Sequence, residues 1–172
     1  MSLMDIILKR RSIRKYTEED ISEEKLEKIL QAGLLSPTSR NLKPCEFYVI
    51  RDKQKLLELS RVKQAGGWMI EHCNAAIAVF GDSRKADTWT EDCSIALSYM
   101  MLMAEEEEVG NCWVQVHLRS DADGNDAEEN VRKVLNAPEE YRIAGILSLG
   151  IPAEKLNPHI LDEADWEKVH RI

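Results

Sequence analysis

The chain has no long apolar run. No stretch approaches the ~18 consecutive apolar residues of a membrane helix, so a spanning segment is not expected. Aromatic residues are sparse at 6%, with two phenylalanines, so aliphatic side chains and methionine must build the core. The four cysteines, Cys45, Cys73, Cys93 and Cys112, include no CxxC pair. Structural zinc usually needs closely spaced ligand pairs, so no metal is expected and the thiols read as free core groups in a reducing compartment. Glycine-rich signatures are missing too: there is no GxGxxG, no GxxxxGKS/T and no GxSxG. The dinucleotide fingerprint, the P-loop and the hydrolase elbow are therefore absent as motifs. Positive charge is in deficit, with 23 Lys and Arg against 31 Asp and Glu and a net charge of −8. Such a chain is a poor generic nucleic-acid binder, because phosphate contacts need a basic field. Repeats, low-complexity linkers and Pro/Gly-rich hinges are also lacking, and 172 residues read as one domain over 1–172. Arg10 and Arg11 come too early for a secretory apolar region, so a cytoplasmic location is expected. Met1-Ser2-Leu3 is given no structural weight.

What is present reads as helices interleaved with short strands. Residues 4–10 form a first helix candidate through Ile6, Ile7 and Leu8. Ser22 reads as the N-cap of a second, whose Leu26, Ile29, Leu30 and Leu34 recur at helical spacing and which Ser36-Pro37 ends. Residues 47–50 predict a short buried strand. Asp52 caps a helix through Leu59, and residues 75–80 make a second strand closed by Gly81-Asp82. Residues 87–108 are the longest helix. Its middle, from Ile95 to Ala104, leaves little polar face, which predicts burial centrally or in a subunit interface. Glu105, Glu106, Glu107 and Glu108 oppose the macrodipole at its end and read as a solvated face. A strand at 112–118, a helix at 126–135 and a strand at 141–149 follow, and the tail from 153 to 172 reads as extended. Helices outweigh strands, which predicts an α+β fold with a small sheet.

Two polar segments stand out. Arg10-Arg11-Ser12-Ile13-Arg14-Lys15-Tyr16 packs three arginines and a hydroxyl into five residues. It is either a solvated basic segment or the seat of a small anion, since arginine forks bind phosphate bidentately. Ser36-Pro37-Thr38-Ser39-Arg40-Asn41-Leu42-Lys43-Pro44 is a rigid polar loop leading into a strand. The histidines, His72, His117, His159 and His170, are scattered. His72-Cys73 invites a nucleophile pair, but neighbours on a strand point to opposite faces. Trp68, Trp89 and Trp113 read as packing residues, with a pocket gate as the alternative for Trp68 after Gly66-Gly67.

The order of RRSIRKYT, SPTSRNLKP, GNCWVQV and LSLGIPAEK along the chain resembles the nitroreductase family of FMN-dependent oxidoreductases, in its short members. The resemblance covers nearly the whole sequence. It implies a nitroreductase-like α+β fold: a small mixed or antiparallel sheet among helices, with the long helix at a dimer interface. It implies an obligate homodimer with two FMN sites, the tail from about residue 153 extending onto the partner. In that picture Arg10, Ser12 and Arg14 hold the FMN phosphate and ribityl chain, with Arg11 near the flavin. Pro37, Thr38 and Ser39 come from the partner, and Asn41 lies near the site. Trp113, Val114 and Gln115 run along the isoalloxazine, the Gln115 N–H approaching flavin N5. Gly150 lets the chain pass close to the cofactor, and Lys155 adds charge near the phosphate.

The implied reaction is ping-pong. NAD(P)H delivers a hydride and leaves, and an electron-poor acceptor (a nitroaromatic, a quinone or a flavin) is then reduced. No side-chain catalyst is implied, because the cofactor carries the chemistry. The sequence departs from the family at Lys43-Pro44-Cys45, where Gln and then Pro-Trp are frequent, and at Val116, where glycine is common. Lys43 either faces the flavin pyrimidine or points to solvent. These departures leave two alternatives open: a non-enzymatic FMN-binding redox module, or another flavin reaction on the same fold, such as reductive dehalogenation or oxidation. Neither nucleic acid nor a membrane is an expected partner.

Overall fold

A computed structural model describes all 172 residues. Four strands form one antiparallel sheet in the order β1-β2-β4-β3: β1 (Cys45–Ile50), β2 (Ala75–Asp82), β3 (Gly110–Gln115) and β4 (Tyr141–Gly150). Helices cover both faces of the two central strands, so β2 is apolar and buried from Ala75 to Gly81 and β4 is buried from Ile143 to Gly150, with Ser148 its one polar residue in that stretch. The edges differ. Residues 47–50 are not a buried strand: β1 is an edge that begins at Cys45, with Glu46 and Val49, on opposite faces, both exposed because no further strand covers this side of the sheet. β3 stops short of Leu118, whose φ of 58° takes the chain out of the extended region.

Helices α2 (Glu23–Leu34) and α4 (Trp89–Glu106) cover one face, and α3 (Lys53–Leu59) and α5 (Ala127–Leu135) cover the other. Leu26, Ile29, Leu97 and Met100 pack against Ile77, Val79 and Leu147 on the first face. Leu56, Leu59, Ile70 and Val131 pack against Phe80, Ile143 and Ile146 on the second. Ser22, Asp52 and Asp126 each accept a backbone N–H at a helix start. Ser2, given no weight from sequence, does the same for α1 (Leu3–Lys9), in a capping box with Asp5.

The four glutamates ending α4 are not simply a solvated face. Glu105 pairs with Lys9 of α1 at 3.5 Å and Glu107 with Lys28 of α2 at 3.1 Å. Lys25 also donates to the Glu107 carbonyl at 2.6 Å, so cations from two neighbouring helices relieve the dipole conflict. The middle of α4 is not buried all round either. Cys93, Ala96, Leu97, Met100 and Ala104 are buried, whereas Ile95 and Tyr99 are exposed on its outer side. Leu3, Met4 and Ile7 of α1 are exposed as well. The tail runs extended and exposed, with short 3-10 turns at Leu161–Glu163 and Trp166–Lys168. Trp68 is half exposed rather than packed. No helix is long and apolar enough to cross a membrane.

Candidate functional site

The outer edge of β3 decides what this fold can bind. Val116 donates its N–H to Ala144 of the neighbouring chain segment at 3.4 Å, and Gln115 stands opposite Gly145. In an antiparallel ladder, alternate residues bond inward, so the peptide groups of Asn111, Trp113 and Gln115 turn outward. Two contacts from outside agree: Ile13 donates to the Asn111 carbonyl at 2.9 Å, and Lys63 Nζ donates to the Gln115 carbonyl at 2.8 Å. The Gln115 side chain is occupied. Its Oε1 accepts from Trp113 Nε1 at 3.0 Å and its Nε2 donates to the His117 carbonyl at 3.1 Å. What Gln115 offers a ligand is therefore its backbone N–H. Val114, also named from sequence, turns its side chain into the core.

The segment after α1 lies along this edge, with Ser12 bridged to Asn111. An extended segment alternates its side chains. Arg10, Ser12 and Arg14 lie toward Cys112: burial raises the Cys112 thiol, while Arg14, Ser12 and Arg10 oppose that rise, with Lys63 adding a smaller pull. Arg10 has no side-chain hydrogen bond or ion pair, and Arg14 donates only to the Ser12 carbonyl at 3.2 Å. The nearby Glu154 carboxylate accepts from the backbone N–H groups of Arg14 and Lys15 instead. Lys63 is partly buried, which holds its ammonium below the ordinary lysine range, helped by Arg119. Thus three cations without a carboxylate partner meet one strand edge in a chain of net charge −8.

The other residues named from sequence fall elsewhere. Arg11 and Lys155 line a groove of about 610 Å³ with Ile13, Gly110 and Glu154, and Arg11 donates to the Asn157 carbonyl, tying down the tail. Gly150 is packed closely by the protein itself on its side-chain side. A Cβ there would lie 2.5 Å from the Tyr16 ring and 2.7 Å from Asn74 Oδ1, so protein already fills that space. Pro37, Thr38, Ser39 and Asn41 sit on the loop before β1, at the opposite sheet edge. Three strand spacings, roughly 14 Å, separate the two edges. Within that loop the Ser39 N–H donates to buried Asp92 at 2.8 Å, and Lys43 N–H donates to Thr38 Oγ1 at 3.0 Å. Arg40, Asn41 and Lys43 all hold positive φ, a strained course fixed by these contacts. Lys43 itself is exposed.

Sequence reasoning missed three groups. Lys63 lies in a loop with no motif around it. Asp92 sits in the first turn of α4, and only its burial reveals that it anchors a loop 53 positions away. Glu128 is buried and accepts from His117 at 2.7 Å, from Arg142 at 2.8 and 2.9 Å and from the Ile143 N–H at 3.2 Å. From sequence Glu128 was only one acidic residue of the 126–135 helix, with no local pattern to report its burial. His72-Cys73 is not on a strand, as the sequence suggested, but ends the 3-10 helix Trp68–His72. Burial pushes the Cys73 thiol up to about 12, which leaves it inert.

Comparison with known proteins places this geometry. The model of the nitroreductase family matches residues 7–76 and 66–151. An FMN-dependent nitroreductase from Clostridium difficile has 40% identity and a TM-score of 0.95, with 98% of each chain covered. A nitroreductase from Desulfovibrio desulfuricans, solved in complex with FMN, has 25% identity and a TM-score of 0.76 over 99% of both chains. A relative from Archaeoglobus fulgidus, named as an NADH dehydrogenase/NAD(P)H nitroreductase, is 32% identical over 98% of this chain and 96% of its own length. The α+β architecture and the antiparallel sheet expected from sequence are those of this fold. The chain belongs to the nitroreductase family of oxidoreductases.

Proposed function

We propose that the chain is an FMN-dependent NAD(P)H oxidoreductase that works as a homodimer. The observation that carries this reading is the β3 edge, where outward N–H groups of Trp113 and Gln115 stand beside the unpaired cations Arg10, Arg14 and Lys63. FMN suits that donor set. Arg10, Ser12 and Arg14 would hold its phosphate, since guanidinium forks and a hydroxyl match phosphate oxygens. The amides of Trp113 and Gln115, with Lys63, would donate to the acceptor edge of its ring. Bound there, FMN supplies hydride uptake from NAD(P)H and delivery to an electron-poor acceptor such as a nitroaromatic, a quinone or a flavin. Lys63, fixed on the Gln115 carbonyl, keeps positive charge at that edge and so favours an anionic ring. The FMN-dependent and FMN-bound relatives support the cofactor, and the Archaeoglobus name supports the donor.

The separation of the two polar segments supports the homodimer. One chain carries the arginine segment at one sheet edge and the Pro37-Thr38-Ser39 loop at the other. A second copy would bring its Pro37, Thr38, Ser39 and Asn41 to the first copy's β3 edge. The exposed Leu3, Met4, Ile7, Ile95 and Tyr99 supply an apolar surface for it, and the extended tail supplies Ile160, Leu161 and Trp166. Anaerobic addition of NADH or NADPH to FMN-loaded protein tests the activity. The flavin absorption should bleach, and a quinone should restore it. Flavin that stays oxidised with both donors would overturn the oxidoreductase reading while leaving binding intact.

A further inference from the structure

Cys45 and Cys93 meet although they are 48 positions apart in the chain, with their Sγ atoms 3.7 Å apart. Cys45 opens β1 and is partly exposed, while Cys93 lies in the second turn of α4 and is fully buried. The other two thiols, on Cys73 and Cys112, are buried and have no sulfur partner. We propose that Cys45 and Cys93 are a reversible dithiol–disulfide pair, oxidised by peroxides.

A disulfide needs its sulfurs at about 2.05 Å, so they must close by roughly 1.6 Å, within reach of small side-chain rotations. The two thiols are unequal. The contact with Cys93 lowers the Cys45 thiol below its ordinary range, and the same contact, with burial, raises the Cys93 thiol. Cys45 is thus the more exposed and more acidic sulfur, as an attacking thiolate must be. In the first step, the Cys45 thiolate attacks the terminal peroxide oxygen. An S–O bond forms, the O–O bond breaks, and the alcohol or water leaves after taking a proton. In the second step, Cys93 sulfur attacks the Cys45 sulfenic acid. The S–S bond forms, the S–O bond breaks, and the departing hydroxide takes the Cys93 proton to give water. Two thiols lose two electrons, and the peroxide gains them. The new bond would fasten the start of β1 to α4 beside Asp92, which already holds Ser39. Oxidation would therefore clamp the 36–44 loop from both ends. None of this depends on the proposed activity.

The test is a thiol count and a crosslink map on the reduced, full-length protein after brief hydrogen peroxide treatment. The expected result is a fall from four titratable thiols to two, one Cys45–Cys93 peptide in a non-reducing digest, and full recovery with dithiothreitol. In Cys93→Ser, Cys45 should stop at the sulfenic acid and take up dimedone. In Cys45→Ser, the three remaining thiols should survive the same dose. Retention of all four wild-type thiols, a crosslink elsewhere, or over-oxidised Cys45 beside free Cys93 would overturn the pairing.

Discussion

At the scale of single residues, the site is written in side chains that lack the partners their charge calls for, and the scaffold in side chains that have all of theirs. Arg10 and Arg14 were legible from sequence because three arginines in five residues are conspicuous in an acidic chain. Whether Arg11 shares their direction was not legible, since that depends on the extended course that sends it to the Asn157 carbonyl. Glu128 shows the opposite case. Burial pushes its carboxyl up, but Arg142 and His117 together hold it below the ordinary glutamate range. A carboxylate with a lowered folded-state pKa stabilises fully above its unfolded value, about 4.3, and loses that contribution as pH falls through the folded value. Stability should therefore be insensitive to this group between pH 7 and about 5 and should fall below that. Glu128→Gln leaves Arg142 short of its charge and should cost about 3 kcal/mol near neutrality. Urea denaturation at neutral and acid pH checks both: the variant should be less stable at pH 7 and should lose less on acidification. An equal loss in both proteins would remove Glu128 from the acid response.

At the scale of elements, hydrophobic period and caps make the helices and central strands readable from the sequence. Ser22, Asp52 and Asp126 mark helix starts that the structure keeps. Edges were less readable, because an edge is defined by which strands are neighbours, and local sequence does not encode sheet order. That is why residues 47–50 read as buried and why β3 read as continuing to Leu118. The same edge geometry yields a prediction. Gln115 points its N–H away from β4, so proline at this position removes no ladder bond and should be tolerated as edge prolines are. Gln115→Pro should thus keep its thermal unfolding midpoint within a few degrees. It should nevertheless lose NAD(P)H-dependent turnover on the order of 100-fold, the usual cost of one preorganised donor. Gln115→Ala, which keeps the N–H, should stay within a few-fold of wild type. Equal losses in the two variants would show that the side chain, not the amide, matters.

At the scale of the whole molecule, the arrangement explains why the site is hard to see in one chain. Its two polar segments lie on opposite edges of a four-stranded sheet, and in the proposed homodimer a second copy would close the distance. Sedimentation of the FMN-loaded protein at micromolar concentration should show a dimer carrying the flavin absorbance, whereas a compact flavin-bound monomer would exclude a shared site. The family motifs made that arrangement an expectation, but the sheet order that gives it a physical reason came only from the fold. The central claim is narrower: unpaired cations at the β3 edge hold a phosphorylated flavin by its phosphate. The most direct measurement is a fluorescence titration of flavin-free protein with FMN and with riboflavin, which lacks that phosphate. Charge-assisted contacts contribute ~1.5–3 kcal/mol each, so FMN should bind well over tenfold more tightly. Replacing Arg10 and Arg14 with alanine should erase most of the difference. Riboflavin binding as tightly as FMN, or an FMN affinity unmoved in the double variant, would contradict the account.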